Sequence, residues 1–181
     1  LVSKLDSKLY GGAGKVIFSL EEKSGQTFDP RGVSGTNYTW SATALTLPAN
    51  YRIKCLEELG NNLMIGTFIP DLPVADIFPW DGSATTFGQP ITLKDFGCHA
   101  MVNAGNSLVV LAGERGEIFK CDGANIYPIA KLPIEVPVAN GALITWYPGS
   151  ICGFKGKVFF GSSGSNLLGG QGVYSIQQTG Q

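Results

Sequence analysis

Histidine is all but absent from this sequence: His99 is the single one in 181 residues. Nucleophilic catalysis of the Ser-His-Asp or Cys-His kind needs a histidine within reach of its nucleophile. Only Cys98 stands beside His99, and neighbours along a strand point to opposite faces, so the expectation is a histidine packed in or at the edge of a sheet. No Cys-x-x-Cys pair occurs among Cys55, Cys98, Cys121 and Cys152. With one histidine there is no basis for a zinc site, and the cysteines are expected to be four buried free thiols. Charge is also scarce, at 15% of residues with a net charge of -1. That leaves no electrostatic case for nucleic acid or an anionic membrane. It hints at a surface partly covered by neighbours.

Long apolar runs are missing too. The most apolar region, Leu63 to Trp80, is broken by Pro70, Asp71, Pro73, Asp76 and Pro79, which excludes a transmembrane helix. No 3.6-residue apolar stripe of useful length exists, and glycines interrupt nearly every window, so helices are not expected. No signal peptide is visible, and the chain begins at Leu1, so the N-terminus is read as processed, cut or not included.

Apparent motifs dissolve on inspection. "GGAGKV" at 11–16 has Leu9 where a phosphate loop has its first glycine and Val16 where it has a hydroxyl; a β-turn is expected. Asp71, Asp76 and Asp81 do not form a calcium loop with its closing Glu. Asn37-Tyr38-Thr39 matches a glycosylation sequon, as a chain of this length does by chance. Tyr and Trp are too dispersed to stack single-stranded nucleic acid. No catalytic residue, cofactor or metal ligand is assigned, and no enzyme is expected.

What the sequence does have is turns and short apolar runs. Its 25 glycines and 10 prolines are scattered between them, and 44% of residues are hydrophobic, which favours a folded all-β chain. "NSLVVLAGERGEIFKCDGANIYPIAKL", 106–132, reads as strand, charged turn, strand, Asp-Gly, strand. Residues 1–22, 53–93 and 151–177 read the same way. The second strands are expected to end at Gly12, Gly66, Gly113 and Gly161, which recur at roughly 50-residue intervals. Asp81-Gly82 and Asp122-Gly123 are expected to turn the middle copies into a fourth strand.

Four short antiparallel strands per repeat of this length is the pattern of a β-propeller blade. "GFKGKVFFGSS…GVYSI" resembles the degenerate blades of kelch-like and related propellers, including the WD40-like kind. The kelch double glycine is matched only by Gly11-Gly12 and Gly169-Gly170, and Trp80-Asp81 lacks the Gly-His partner of a WD40 repeat. The resemblance implies an all-β segment of about four blades, at approximately 1–50, 51–97, 98–149 and 150–181, the last incomplete. The segment is expected to belong to a larger or shared ring, because open sheet edges invite association.

Function is expected in the long loops, since loops on a rigid scaffold commonly carry binding. "TFIPDLPV" presents Phe68 and Ile69; the crossover from Pro133 to Gly149 carries Trp146 and Tyr147; "SSGSNLLGGQG" carries Leu167 and Leu168 at its tip. These six are the candidate interaction residues, suited to contact with other protein subunits. Few charges, loops rich in Gly, Ala, Thr and Asn, and an unclosed ring are similar to the propeller-like platforms of short-tailed phage tail nozzles and tail hubs. The resemblance implies a non-catalytic structural platform in a virion. The alternative is a propeller enzyme or carbohydrate-binding lectin with its site in a central channel.

Overall fold

The computed structural model describes residues 2–5, 8–22, 38–41, 43–83, 85–113, 117–131, 151–162 and 172–177. Among them every regular element is a strand, sixteen in all, and every pairing is antiparallel. The strands form four meander sheets that follow chain order. Among the described residues no sheet closes on itself.

The first sheet holds β1 (Val2–Leu5), β2 (Lys8–Ala13), β3 (Val16–Glu22), β4 (Tyr38–Trp40) and β5 (Leu45–Thr46), with both short strands pairing along β3. The second runs β6 (Arg52–Leu59), β7 (Asn62–Phe68), β8 (Ala75–Trp80), β9 (Ile91–Leu93). The third runs β10 (Cys98–Asn103), β11 (Leu108–Ala112), β12 (Glu117–Cys121), β13 (Ile126–Lys131). The fourth holds β14 (Ile151–Phe154), β15 (Lys157–Ser162) and β16 (Gly172–Gln177).

The sheets stack face to face in that order, and the alternation of side chains along each strand builds the stack. In β7, Leu63 and Ile65 point toward the first sheet, where they meet Tyr10, Ile17 and Leu45. Met64, between them, points toward the third sheet and joins Met101, Leu108 and Val110. In β11, Leu108 and Val110 face the second sheet while Val109 and Leu111 face Val158 and Phe160 of the fourth. Strands covered on both faces read as continuous apolar runs, and all five residues of β11 are buried. Each large side chain so enclosed contributes about 1.5–3 kcal/mol. The first strands lie against one another in succession, β1 on β6, β6 on β10 and β10 on β14, while the last strands β9 and β13 barely touch.

Three local expectations are corrected. The recurrent glycines do not all end their strands: β2 continues to Ala13, β7 to Phe68 and β15 to Ser162, and only Gly113 follows its strand. They mark close approach instead. A Cβ on Gly12 would lie 2.8 Å from Ile53 Cγ2, and one on Gly66 would lie 2.5 Å from Cys55 Sγ and 2.6 Å from Cys98 Sγ. In both cases the first strand of the next sheet passes over the glycine.

The two Asp-Gly pairs also differ. Asp122-Gly123 makes a tight connection, with the Asp122 carboxylate accepting from Ala124 N at 2.9 Å and Asn125 N at 2.7 Å. Asp81-Gly82 opens a longer loop, because β9 pairs only from Ile91, opposite Ile77. Phe87 anchors that loop edge-on to Phe78, with ring centroids 4.6 Å apart. The thiols are free as expected, but only Cys55, Cys98 and Cys121 are buried; Cys152 is exposed, because β14 turns it away from the stack.

Candidate interaction surface

Phe68 ends β7 and Ile69 opens the connection to β8; both are half-buried. Phe68 sits under the Lys54 ammonium, which lies 5.5 Å from its ring centroid. Such a contact is worth about 0.5–1 kcal/mol at an exposed site. Lys54 reaches it because β6 carries a bulge there: Ile53 pairs with Thr67 and Cys55 with Gly66, leaving Lys54 unmatched. β10 repeats the device at His99, between Cys98 opposite Ala112 and Ala100 opposite Leu111. The apolar atoms this end presents to solvent belong to other residues. Leu72 is 49% exposed on the turn held by Asp71 at φ +64, and Phe96 is 43% exposed in the link from β9 to β10.

His99 and Cys98 are the ionisable groups of β10 near this end. His99 Nε2–H donates to the Gly113 carbonyl at 2.8 Å, which leaves Nδ1 as a buried acceptor with no hydrogen-bond partner. Burial lowers the His99 pKa, the Gly113 bond raises it less, and Lys54 lowers it further. Its neighbour in sequence looks elsewhere: Cys98 Sγ lies 3.5 Å from Cys55 Sγ, deep between the second and third sheets. The Cys55 contact and then burial hold the Cys98 thiol well above its ordinary pKa, which keeps it protonated and weakly nucleophilic.

A second polar group lies between the first and second sheets. The Tyr51 hydroxyl donates a short hydrogen bond to Asp76 Oδ2, and Thr67 Oγ1 donates to the Asp76 carbonyl at 2.6 Å. Asp76 is 7% exposed, and its Oδ1 has no hydrogen-bond partner. The Asp76 bond, with burial, raises the Tyr51 pKa to about 12. Among the described residues no three His, Cys, Asp or Glu side chains converge as metal ligands would, and no helix is long and apolar enough to cross a membrane.

An open cleft of about 520 Å³ lies at the opposite end of the stack, between the β8–β9 loop and the β12–β13 turn. Asn62, Asp81, Thr86 and Gln89 give it a polar lining, while Pro79 and Phe87 give it an apolar one. Asp81 Oδ1 already accepts from Ser83 N at 2.9 Å, so that carboxylate shapes its own turn.

Exposed apolar side chains also lie on the outer faces of the two end sheets, while Tyr127 at 42% and Ile129 at 41% are exposed on β13, the last strand of the third sheet. Leu9 at 40% and Trp40 at 45% face outward from the first sheet, and Phe154 at 60% and Val173 at 76% face outward from the fourth. Of the six residues singled out from sequence, Phe68 and Ile69 share the loop end of the second sheet; Trp146, Tyr147, Leu167 and Leu168 lie outside the described residues. The readable signal for the outer faces was a strand apolar at both parities in an end sheet, as in Ile151-Cys152-Gly153-Phe154. Leu72 and Phe96 gave none, because their exposure depends on how two turns are held. Set against protein-family models, curated proteins and solved structures, the chain finds no match in any of the three.

Proposed function

We propose that this chain is a non-catalytic β-propeller segment that serves as a structural and interaction platform within a large assembly. One observation supports the reading above the rest: successive meander sheets pack face to face, their first strands in close contact while the last strands β9 and β13 barely touch. Sheets so arranged fan about an axis on the side of their first strands, as blades do. The paucity of charge and the Gly-rich loops favour a virion tail as the assembly. The half-buried base formed by Phe68 and Ile69, with Leu72 and Phe96 exposed beside it, suits a protein partner at the loop end.

Single-particle imaging of the particle that contains this chain tests the reading. The expected result is a stoichiometric subunit whose sheets ring a tail axis. A soluble monomer that turns over or retains a small molecule would end it. The cleft beside Phe87 favours the second reading, a sugar-binding module, through its mixture of amide, hydroxyl and apolar groups. Its test is a glycan array repeated with Gln89→Ala; binding that this change abolishes would establish it.

A further inference from the structure

Every sheet-on-sheet contact in the stack has the same sense: the forward face of one sheet meets the backward face of the next. Leu63 and Ile65 look backward onto the first sheet, Val110 backward onto the second, and Val158 and Phe160 backward onto the third. Two faces are left over among the described residues. One is the backward face of the first sheet, with Leu9, Phe18 and Trp40; Leu20 pairs with Trp40, and Ile17 on the same strand points the other way into the core. The other is the forward face of the fourth sheet, where Cys152 pairs with Phe159, and Phe154 and Val173 stand outward. Among the described residues these faces do not pack on each other: β1 packs on β6 and β14 on β10, with the second and third sheets between them.

We propose that the forward face of the fourth sheet docks on the backward face of the first sheet of a second copy of this chain. The proposal deepens the platform reading and rests on its premise that the sheets are successive blades. The occupant follows from the three joints inside the chain. In each, an apolar forward face is covered by an apolar backward face, and a second copy supplies the one backward face of this protein that is uncovered among the described residues. The contact is heterologous, because the two faces differ. Copies therefore join head to tail and close into a ring when the accumulated rotation allows it. The same contact removes Phe154 and Val173 from water and covers two outer sheet faces.

Heterologous joining makes a test that a symmetric contact fails. Sedimentation of the full-length chain across a range of concentrations is expected to show an oligomer. Val173→Lys disables the forward face and Trp40→Lys the backward face, so each variant alone is expected to sediment as a monomer. Mixed in equal amounts, they are expected to give a one-to-one dimer, because one intact face of each kind remains. Cys152 supplies a second readout: its alkylation is expected to slow at least tenfold in the oligomer and to recover in the Val173→Lys monomer.

A wild-type chain that stays monomeric throughout overturns the proposal, as does Trp40→Lys assembling like the wild type, which would indicate forward face against forward face. Circular dichroism of each variant guards against unfolding, and Phe154→Asp repeats the forward-face arm at a second site. A monomeric chain that is still found as a regular subunit of a tail alongside a different protein would remove this joint and leave the platform reading standing.

Discussion

The two middle sheets and the two end sheets share a strand plan and differ in their surroundings. In the second and third sheets, neighbouring residues of one strand enter different cores: Leu63 and Met64, or Val109 and Val110, are all almost wholly buried. In the first and fourth sheets one parity is buried and the other is not; Phe160 is 0% exposed while Val173 on the adjoining strand is 76% exposed. The difference teaches that a sheet's place in the stack sets the burial of its inner strands, whereas β13, the edge strand of the third sheet, keeps Tyr127 and Ile129 exposed. Composition alone does not set it, since Cys152, Phe154 and Phe159 lie on the outer parity of β14 and β15 although none is charged.

Replacing one aromatic residue in each kind of sheet gives the largest expected contrast. Phe78→Ala, in the second sheet, opens a cavity where Tyr51 and Phe87 now meet the ring, and is expected to cost about 3–5 kcal/mol in urea unfolding. Phe154→Ala, measured on the dissociated chain, is expected to stay within about 0.5 kcal/mol. Equal losses would break the comparison, because they would mean that the outer face is covered by the chain itself.

Glycine replacement sharpens it further. Gly66→Ala drives a methyl into the Cys55 and Cys98 sulfurs, with an expected cost of about 1–3 kcal/mol, partly recovered by adding Cys98→Ala. Gly153→Ala in the fourth sheet meets nothing nearer than 3.6 Å and is expected to be close to neutral. Matching thermal shifts for the two variants would contradict the close approach at Gly66.

Tyr51→Phe leaves Asp76 buried without its hydroxyl partner, at an expected cost of about 1–3 kcal/mol. It carries a pH signature as well. The folded-state pKa of Tyr51 is raised from 10.0 to about 12, so its contribution is complete below pH 10 and is lost as pH climbs toward 12. Alkaline unfolding curves of the wild type should fall across that window more steeply than those of the variant.

The smallest effect is expected at the acid end. His99 has a folded-state pKa below its ordinary value of 6.5, so the unfolded chain takes up the proton first. Stability is then full above pH 6.5 and declines as pH falls toward the folded value. His99→Gln should flatten that decline; a wild-type melting temperature with the same pH dependence as the variant would refute the assignment.

Much of the strand plan was legible. Leu63 to Gly66 and Leu108 to Gly113 were readable as strands because short apolar runs between turn residues have few other uses. The Asp122-Gly123 connection was readable because Asp and Gly supply the side-chain acceptor and the positive φ that a tight turn needs. Asp81-Gly82 looked the same and behaved otherwise, since Phe87, six residues downstream of Asp81, found a partner in Phe78 that only the folded sheet provides. The spacing of Gly12 and Gly66 was a true repeat read for the wrong reason. A missing Cβ on a strand says that something comes close, without saying what. The surface signal was weaker again: Phe68 and Ile69 were chosen as apolar residues in a long loop, yet packing half-covers both and exposes Leu72 instead.

By itself, the sequence determined an all-β chain of repeated antiparallel meanders, because alternation, turn chemistry and the absence of any helical stripe are local properties that each segment carries alone. Only the tertiary structure decided which parity of each strand is covered, where the bulges at Lys54 and His99 fall, and that two apolar faces are uncovered among the described residues. Those outcomes depend on which sheet lies against which, and contacts between segments some fifty residues apart leave no mark in the order of residues within either one.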